Sequence, residues 1–280
     1  MRKVLLATTA LVALNVSAAS ADISISGSAG FEILDTGTGQ SFESDGAITI
    51  KGTVTTDSGL TVSGVQTQDI QSRDRTSGDT SDQGADVTDS YIDIAGDFGS
   101  IRAGDTDDAL DRMDGALPST YDIEGIVTSN SAQAGGDRLA VSYIAPTVSG
   151  ITAYGAVEAD GAWSGVGVNY SMGPITVTYQ SVSGATDETM MAAAFSSGGM
   201  KVSAGSSEED DGTTKTKTTE IGGSYTMGEL TLVGTQVKQG STTSNSMGVK
   251  YTIAPGFTLS AETGKEGATQ GTYAGLYVSF

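Results

Sequence analysis

Five aspartates fall within ten residues of this chain: Asp105, Asp107, Asp108, Asp111 and Asp114. So dense a set of carboxylates repels itself unless water, cations or a facing basic surface relieves it. Convergent carboxylate oxygens can ligate calcium, and Asp105, Asp107 and Asp108 are the candidates, although their spacing does not match the twelve-residue loop of an EF-hand. Composition closes most other site chemistries. The chain has no histidine and no cysteine, so it holds no Ser-His-Asp triad, no Cys-His pair and no zinc-histidine site. A glycosidase-like pair of carboxylates needs neither residue, yet nothing in the spacing of the acids points to one. The chain is therefore read as a non-enzyme with no cofactor beyond that one calcium candidate.

The first 21 residues carry the marks of a secretory signal peptide. They open with Met1-Arg-Lys3, continue through a short apolar run from Val4 to Val16, and end in the small residues Ala19-Ser-Ala21. Taking that leader, with Arg2 and Lys3, from 280 residues and 14 bases leaves an expected mature chain, 22–280, of 259 residues with 12 bases and 34 acids. Such an excess of acid excludes nucleic acid as a partner, because a phosphate-binding surface must be positive. Export without cysteine means that stability comes from pairing and packing and not from disulfides.

Apolar residues return at every second position along most of the mature chain. Examples are Leu139, Val141 and Tyr143; Ile175, Val177 and Tyr179; and Met247, Val249, Tyr251 and Ile253. The positions between are mostly Thr, Ser, Gly, Lys or Asp, so each segment has one apolar and one polar face, as a β-strand does. No helical segment is expected in the mature chain. Tight turns at 57–59, 97–99, 146–150, 172–174, 197–199, 227–229 and 254–256 alternate with looser polar segments near 35–45, 71–85, 107–136, 159–161, 184–187, 208–215, 240–243 and 264–270. Seven turns and eight loops make fifteen connections and therefore sixteen strands.

Short turns on one rim, longer loops on the other and an even strand number are the layout of an all-β antiparallel transmembrane barrel. A soluble sandwich or solenoid fits less well. Its inner face would be apolar, whereas the polar face here carries Lys51, Asp93, Arg102, Arg138, Lys201, Glu220 and Lys250. Sixteen strands enclose a bore too wide for side chains to fill, so that face meets water. Past the leader, no stretch reaches the roughly 18 apolar residues of a membrane helix.

Three features carry a resemblance: Thr55-Thr-Asp-Ser-Gly-Leu60 at the first turn, Gly96-Asp-Phe-Gly-Ser-Ile-Arg-Ala-Gly-Asp105 ahead of the longest loop, and the terminal Phe280 on one face with Leu276 and Val278. Together with the leader they resemble the general porins of the Gram-negative outer membrane, most nearly the alphaproteobacterial trimeric type. The resemblance implies a homotrimer, a second loop reaching over a neighbouring subunit, residues 107–136 folded inward as a constriction loop, and a terminal aromatic read by the barrel-assembly machinery. It further implies that the acids Asp105, Asp107, Asp108, Asp111 and Asp114 face the wall bases Lys51, Arg102 and Arg138, creating a transverse field at the narrowest point.

Arg73 and Arg75 could meet lipopolysaccharide phosphates or a neighbouring subunit, though an exposed ion pair with Asp74 accounts for them as well. The expected function is passive diffusion of small hydrophilic solutes and ions, with a mild cation preference that follows from the acidic loop and a net charge of -20 for the full chain. Expected partners are membrane lipid, lipopolysaccharide and further copies of this chain. The alternative reading is a non-channel outer-membrane or secreted β protein, an adhesin or a structural barrel.

Overall fold

The computed structural model describes residues 21–37, 39–76, 86–113 and 137–280. The leader up to residue 20, and Asp114 with the remainder of the third loop to residue 136, lie outside the described residues. Sixteen strands follow one another along the chain. They are β1 (Ala21–Asp35), β2 (Gln40–Thr55), β3 (Thr61–Thr76), β4 (Val87–Gly96), β5 (Gly99–Asp107), β6 (Asp137–Ile144), β7 (Ile151–Glu158) and β8 (Ser164–Met172). The second half comprises β9 (Ile175–Ser183), β10 (Asp187–Ser197), β11 (Met200–Asp210), β12 (Lys215–Met227), β13 (Leu230–Gln239), β14 (Thr242–Ala254), β15 (Phe257–Glu266) and β16 (Thr269–Ser279).

Every strand pairs antiparallel with its sequence neighbours, and β1 pairs with β16 to close a barrel. At the seam the register runs from Ser28 opposite Ser279 to Asp35 opposite Thr272. Just beyond it, Gly27 and Phe280 exchange backbone hydrogen bonds of 2.8 and 3.0 Å. Phe280 points outward, 70% exposed. The alternation in sequence becomes the two faces of the wall: Ile25, Phe31, Ile50, Ile92, Ile101, Leu139, Tyr179, Met191, Ile221 and Leu276 are all exposed on the outside.

Two expectations are corrected. The outer connections are shorter than the polar segments suggested: β1 reaches Asp35 and β2 starts at Gln40, while β15 and β16 are separated by residues 267 and 268 alone. The backbone ladder extends through polar strand ends such as Ser41, Glu43 and Lys265, which lie past the apolar alternation that marks a strand in sequence. The second correction is a helix, α1 (Ala109–Met113), directly after β5. Asp108 supplies the reason for its start. Its Oδ1 accepts hydrogen bonds from the backbone N–H of Leu110 at 2.7 Å and of Asp111 at 3.3 Å, as a capping residue does.

The Asp211 carboxylate braces the turn joining β11 to β12. Asp211 Oδ1 accepts from the Thr213 hydroxyl at 2.6 Å and from the backbone N–H of Thr214 and Thr213 at 2.7 and 2.8 Å. Those bonds favour the charged form, the Thr213 hydroxyl most, and hold the Asp211 pKa below its ordinary value. A carboxylate with a depressed folded pKa stabilises above its unfolded pKa and loses that contribution as pH falls through the folded one. Protection factors of the Thr213 and Thr214 amides should therefore be constant from neutral pH down to about pH 4 and fall below it. Asp211→Ala should abolish both the protection and its pH dependence; protection that survives in the variant would show that the carboxylate does not hold the turn.

Candidate functional site

The inner wall of the barrel is not uniformly polar. On β7 to β10 the inward positions carry Tyr154, Ala156, Val182, Met190, Ala192 and Ala194, and with Trp163 these form a buried apolar cluster. Helix α1 lies against it. Leu110 inserts fully, with no exposed surface, and Ala109 is equally buried. Burying a leucine in this way contributes about 1.5–3 kcal/mol.

Two glycines make room for the seat. A Cβ on Gly165 would stand 2.7 Å from Leu110 Cδ2, and one on Gly167 would overlap the Tyr154 ring. Gln180, itself fully buried, donates from Nε2 to the Leu110 carbonyl at 2.6 Å and to the Tyr154 hydroxyl at 3.1 Å. That bond satisfies one of the carbonyls that so short a helix cannot pair internally.

Charge fixes the start of α1. Asp108 is fully buried, and its Oδ2 receives the Nε–H of Arg138 at 3.1 Å. The Arg138 guanidinium lies 3.9 Å above the Trp163 ring and within 4.0 Å of Glu158. A carboxylate removed from water is stable when paired and hydrogen-bonded on both oxygens, and breaking a buried pair from one side costs roughly 3–5 kcal/mol. A second guanidinium, Arg102, donates from Nε and from an η nitrogen to Asp93 at 3.1 and 2.9 Å and stacks 4.0 Å over Tyr91. Arg112 of α1 completes the group. Burial, and then repulsion from Arg102, lowers its pKa, but a guanidinium stays charged throughout the physiological range.

These positions revise the expected arrangement of acids facing bases. Asp108 and Arg138 do not oppose each other across an open bore; they are one ion pair in the seat of α1. Asp105 and Asp107 are exposed on the same face of β5 as Ile101 and Ala103, the outside, whereas Arg102, Thr106 and Asp108 lie on the inner side. The reason is strand alternation, which continues unbroken through Asp107. The calcium candidate fails on the same ground, because Asp105 and Asp107 point away from Asp108. Asp111 sits partly buried on α1. Lys51, exposed, faces inward beside Ile50.

A larger set of inward acids replaces the expected cluster. By alternation, Glu32 on β1, Glu43 and Asp45 on β2, Asp69 on β3 and Asp89 and Asp93 on β4 all share the inner face. Tyr277 donates to Glu32 from its hydroxyl, tying β16 to this acidic sector. Neither this sector nor the Leu110 seat was anticipated in the sequence reading. The seat had a signal: Met190-Met-Ala-Ala-Ala-Phe195 is apolar at consecutive positions, which happens where a strand is covered on both faces.

A closed sixteen-stranded wall, apolar outside and charged within, with a loop helix docked on its inner side, defines an aqueous pore through an outer membrane. Residues 7–275 match the Gram-negative porin family, and the chain belongs to it: this is an outer-membrane porin, a water-filled channel for passive diffusion of small hydrophilic solutes and ions. Solved structures agree in fold. A loop-deletion mutant of OmpT, an outer membrane protein of Vibrio cholerae, is 14% identical with a TM-score of 0.74, over 93% of this chain and 99% of that chain. Salmonella typhi OmpF, in complex with daunomycin, is 14% identical with a TM-score of 0.74, over 92% and 97%. A mutant of the Rh. blastica porin is 17% identical with a TM-score of 0.71, over 92% and 100%. No curated protein matches the chain in sequence.

Because Leu110 seats α1 on the inner wall, Leu110→Ala should weaken the docking of α1 by about 2–5 kcal/mol. Single-channel records in a planar bilayer should then show greater open-state noise and an altered mean conductance. Gly165→Leu, which intrudes on the same seat from the wall, should act alike, while Leu276→Ala on the outer face should leave the trace unchanged. Quiet, wild-type records from both seat variants would rule out the anchor.

Proposed function

We propose that this porin is a mildly cation-preferring diffusion channel that assembles as a homotrimer, with residues 107–136 as its constriction loop. The observation that carries the selectivity is the sorting of charge by strand parity. The inward positions of β1 to β4 hold Asp22, Glu32, Glu43, Asp45, Asp69 and Asp89 against the single lysine Lys51. Next to this sector, on β5 and β6, the cations Arg102 and Arg138 are each matched to a carboxylate. An acidic lining raises the local concentration of cations without binding them tightly enough to block passage.

Support for the trimer comes from relatives. OmpT of Vibrio cholerae, 13% identical over 93% of this chain, is described in a trimer form. The leader 1–21 would direct export, Phe280 would serve recognition by the assembly machinery, and lipid and lipopolysaccharide would surround the barrel. Catalysis has no place in this reading.

The test is a reversal potential across a salt gradient. Wild-type protein should show the sign of cation preference, and Glu43→Gln with Asp45→Asn should move the potential toward zero. Asp105→Asn with Asp107→Asn removes the same charge from the outer face and should leave selectivity where it was. A preference for anions, or equal shifts from the two double variants, would sink the proposal.

A further inference from the structure

Beyond the seat of α1, toward the rim of the longer loops, the inner wall opens into a cavity of about 410 Å³. That rim is the outer one in such a barrel. Arg138, its guanidinium stacked on the Trp163 ring, lines the cavity together with Val182 near the end of β9. Three acids complete the lining: Glu158 at the end of β7, Glu188 at the start of β10 and Glu209 at the end of β11. Glu158 and Glu188 share the inward parity of Tyr154 and Met190, and Glu209 stands directly opposite Glu188 in the ladder.

The one base here is already engaged. Arg138 gives its Nε–H to Asp108 at 3.1 Å and lies 4.0 Å from Glu158. Glu188 and Glu209 form no ion pair among the described residues. Like charges directly opposite each other on neighbouring strands repel. Moreover, Glu188 Oε1 is shut off from solvent and accepts no hydrogen bond among the described residues, and a buried carboxylate oxygen without a donor is costly. A cation held between the two acids relieves both. Nowhere among the described residues do three carboxylates converge to hold a metal ion. The cavity offers instead a pair of acids beside the apolar surface of Trp163 and Val182, both buried. A few placed polar groups against apolar walls, in a volume of this order, are the makings of an organic ligand site.

We propose that this cavity is a subsite for small organic cations, a protonated primary amine on an apolar or aromatic body, with Glu188 and Glu209 receiving the ammonium and Trp163 and Val182 the body. The assignment rests on the channel reading only in that solutes reach the mouth of the bore. It goes beyond that reading in chemistry. The acidic lining of β1 to β4 raises the concentration of every cation alike, whereas this site, on β7 to β11, selects one class by charge and apolar surface together.

Trp163 is the single tryptophan of the chain, so its emission reports on the cavity directly. The detergent-solubilised porin is titrated with phenethylamine, with 2-phenylethanol, which keeps the ring and chain without the charge, and with methylamine, which keeps the charge without the ring. Phenethylamine should give a saturable change, and the other two should bind at least about tenfold more weakly. Glu188→Gln with Glu209→Gln should weaken phenethylamine by about tenfold, and Glu209→Gln alone, at an exposed position, by about threefold. Glu43→Gln with Asp45→Asn should leave the titration unchanged. The proposal is overturned by a wild-type titration that does not saturate, by equal affinity for the alcohol, or by wild-type affinity in both glutamate variants. Displacement of phenethylamine by an equal concentration of magnesium would also overturn it, since the site would then take any cation. Stepwise conductance of the same samples shows that each variant has formed its barrel and separates the two readings: intact conductance without binding sinks the subsite alone, and binding without conductance sinks the channel.

Discussion

Hydrocarbon offers no partner to a backbone N–H or C=O, so a sheet that crosses a membrane must have no edge. Everything else in this molecule follows from meeting that condition with sixteen strands. Closure falls on β1 and β16, which share eight register positions, and on the reciprocal bonds of Gly27 with Phe280. Because the side-chain period in a strand is two, closing the ring in this register fixes the face of every residue at once. A slip by one position would place Ile25, Phe31 and Leu276 in the bore and Glu32 in lipid.

A closed wall of this width leaves its bore open, and the chain then uses part of the inner face for a second purpose. On β7 to β10 the wall is apolar inside as well as outside, and α1 lies on it as a small core element within the barrel. The helix is too short to persist alone. Its end is fixed by three independent contacts: Leu110 in the seat, Gln180 on the Leu110 carbonyl, and Asp108 as both helix cap and ion-pair partner of Arg138. The chain is thus turned onto the inner wall in the first six residues after β5.

Much of the wall was legible in the sequence because hydrophobic alternation and turn residues report on strands directly. The strand count and the inward direction of Lys51, Arg102 and Arg138 came from that signal. Asp105 and Asp107 show how a strong local feature can mislead: the same rule that sends Ile101 outward sends them outward too, but the density of acids suggested a loop before the strand had ended. The helix was hidden for a different reason. Five residues are fewer than two turns, so no apolar periodicity can build up, and Asp108 reads as one more acid until its cap and its arginine are seen. Where alternation failed, at Met190 to Phe195, the failure was itself information: a strand apolar on both faces has something packed inside it.

Strand parity also sorts the charges of this acidic chain between its two environments. Net charge describes neither surface. Facing water in the bore, β1 to β4 offer carboxylates such as Glu32, Glu43, Asp45, Asp69 and Asp89, while Arg102 and Arg138 are matched one to one by Asp93 and Asp108, which leaves their field local. Facing away from the bore, β12 to β15 offer Lys215, Lys217, Lys238 and Lys265 and no carboxylate. Moving any of these side chains by one position along its strand would exchange the two environments, so the charge pattern is a property of register. Charge in the bore and charge on the outer face are therefore fixed by the backbone pairing that closes the ring.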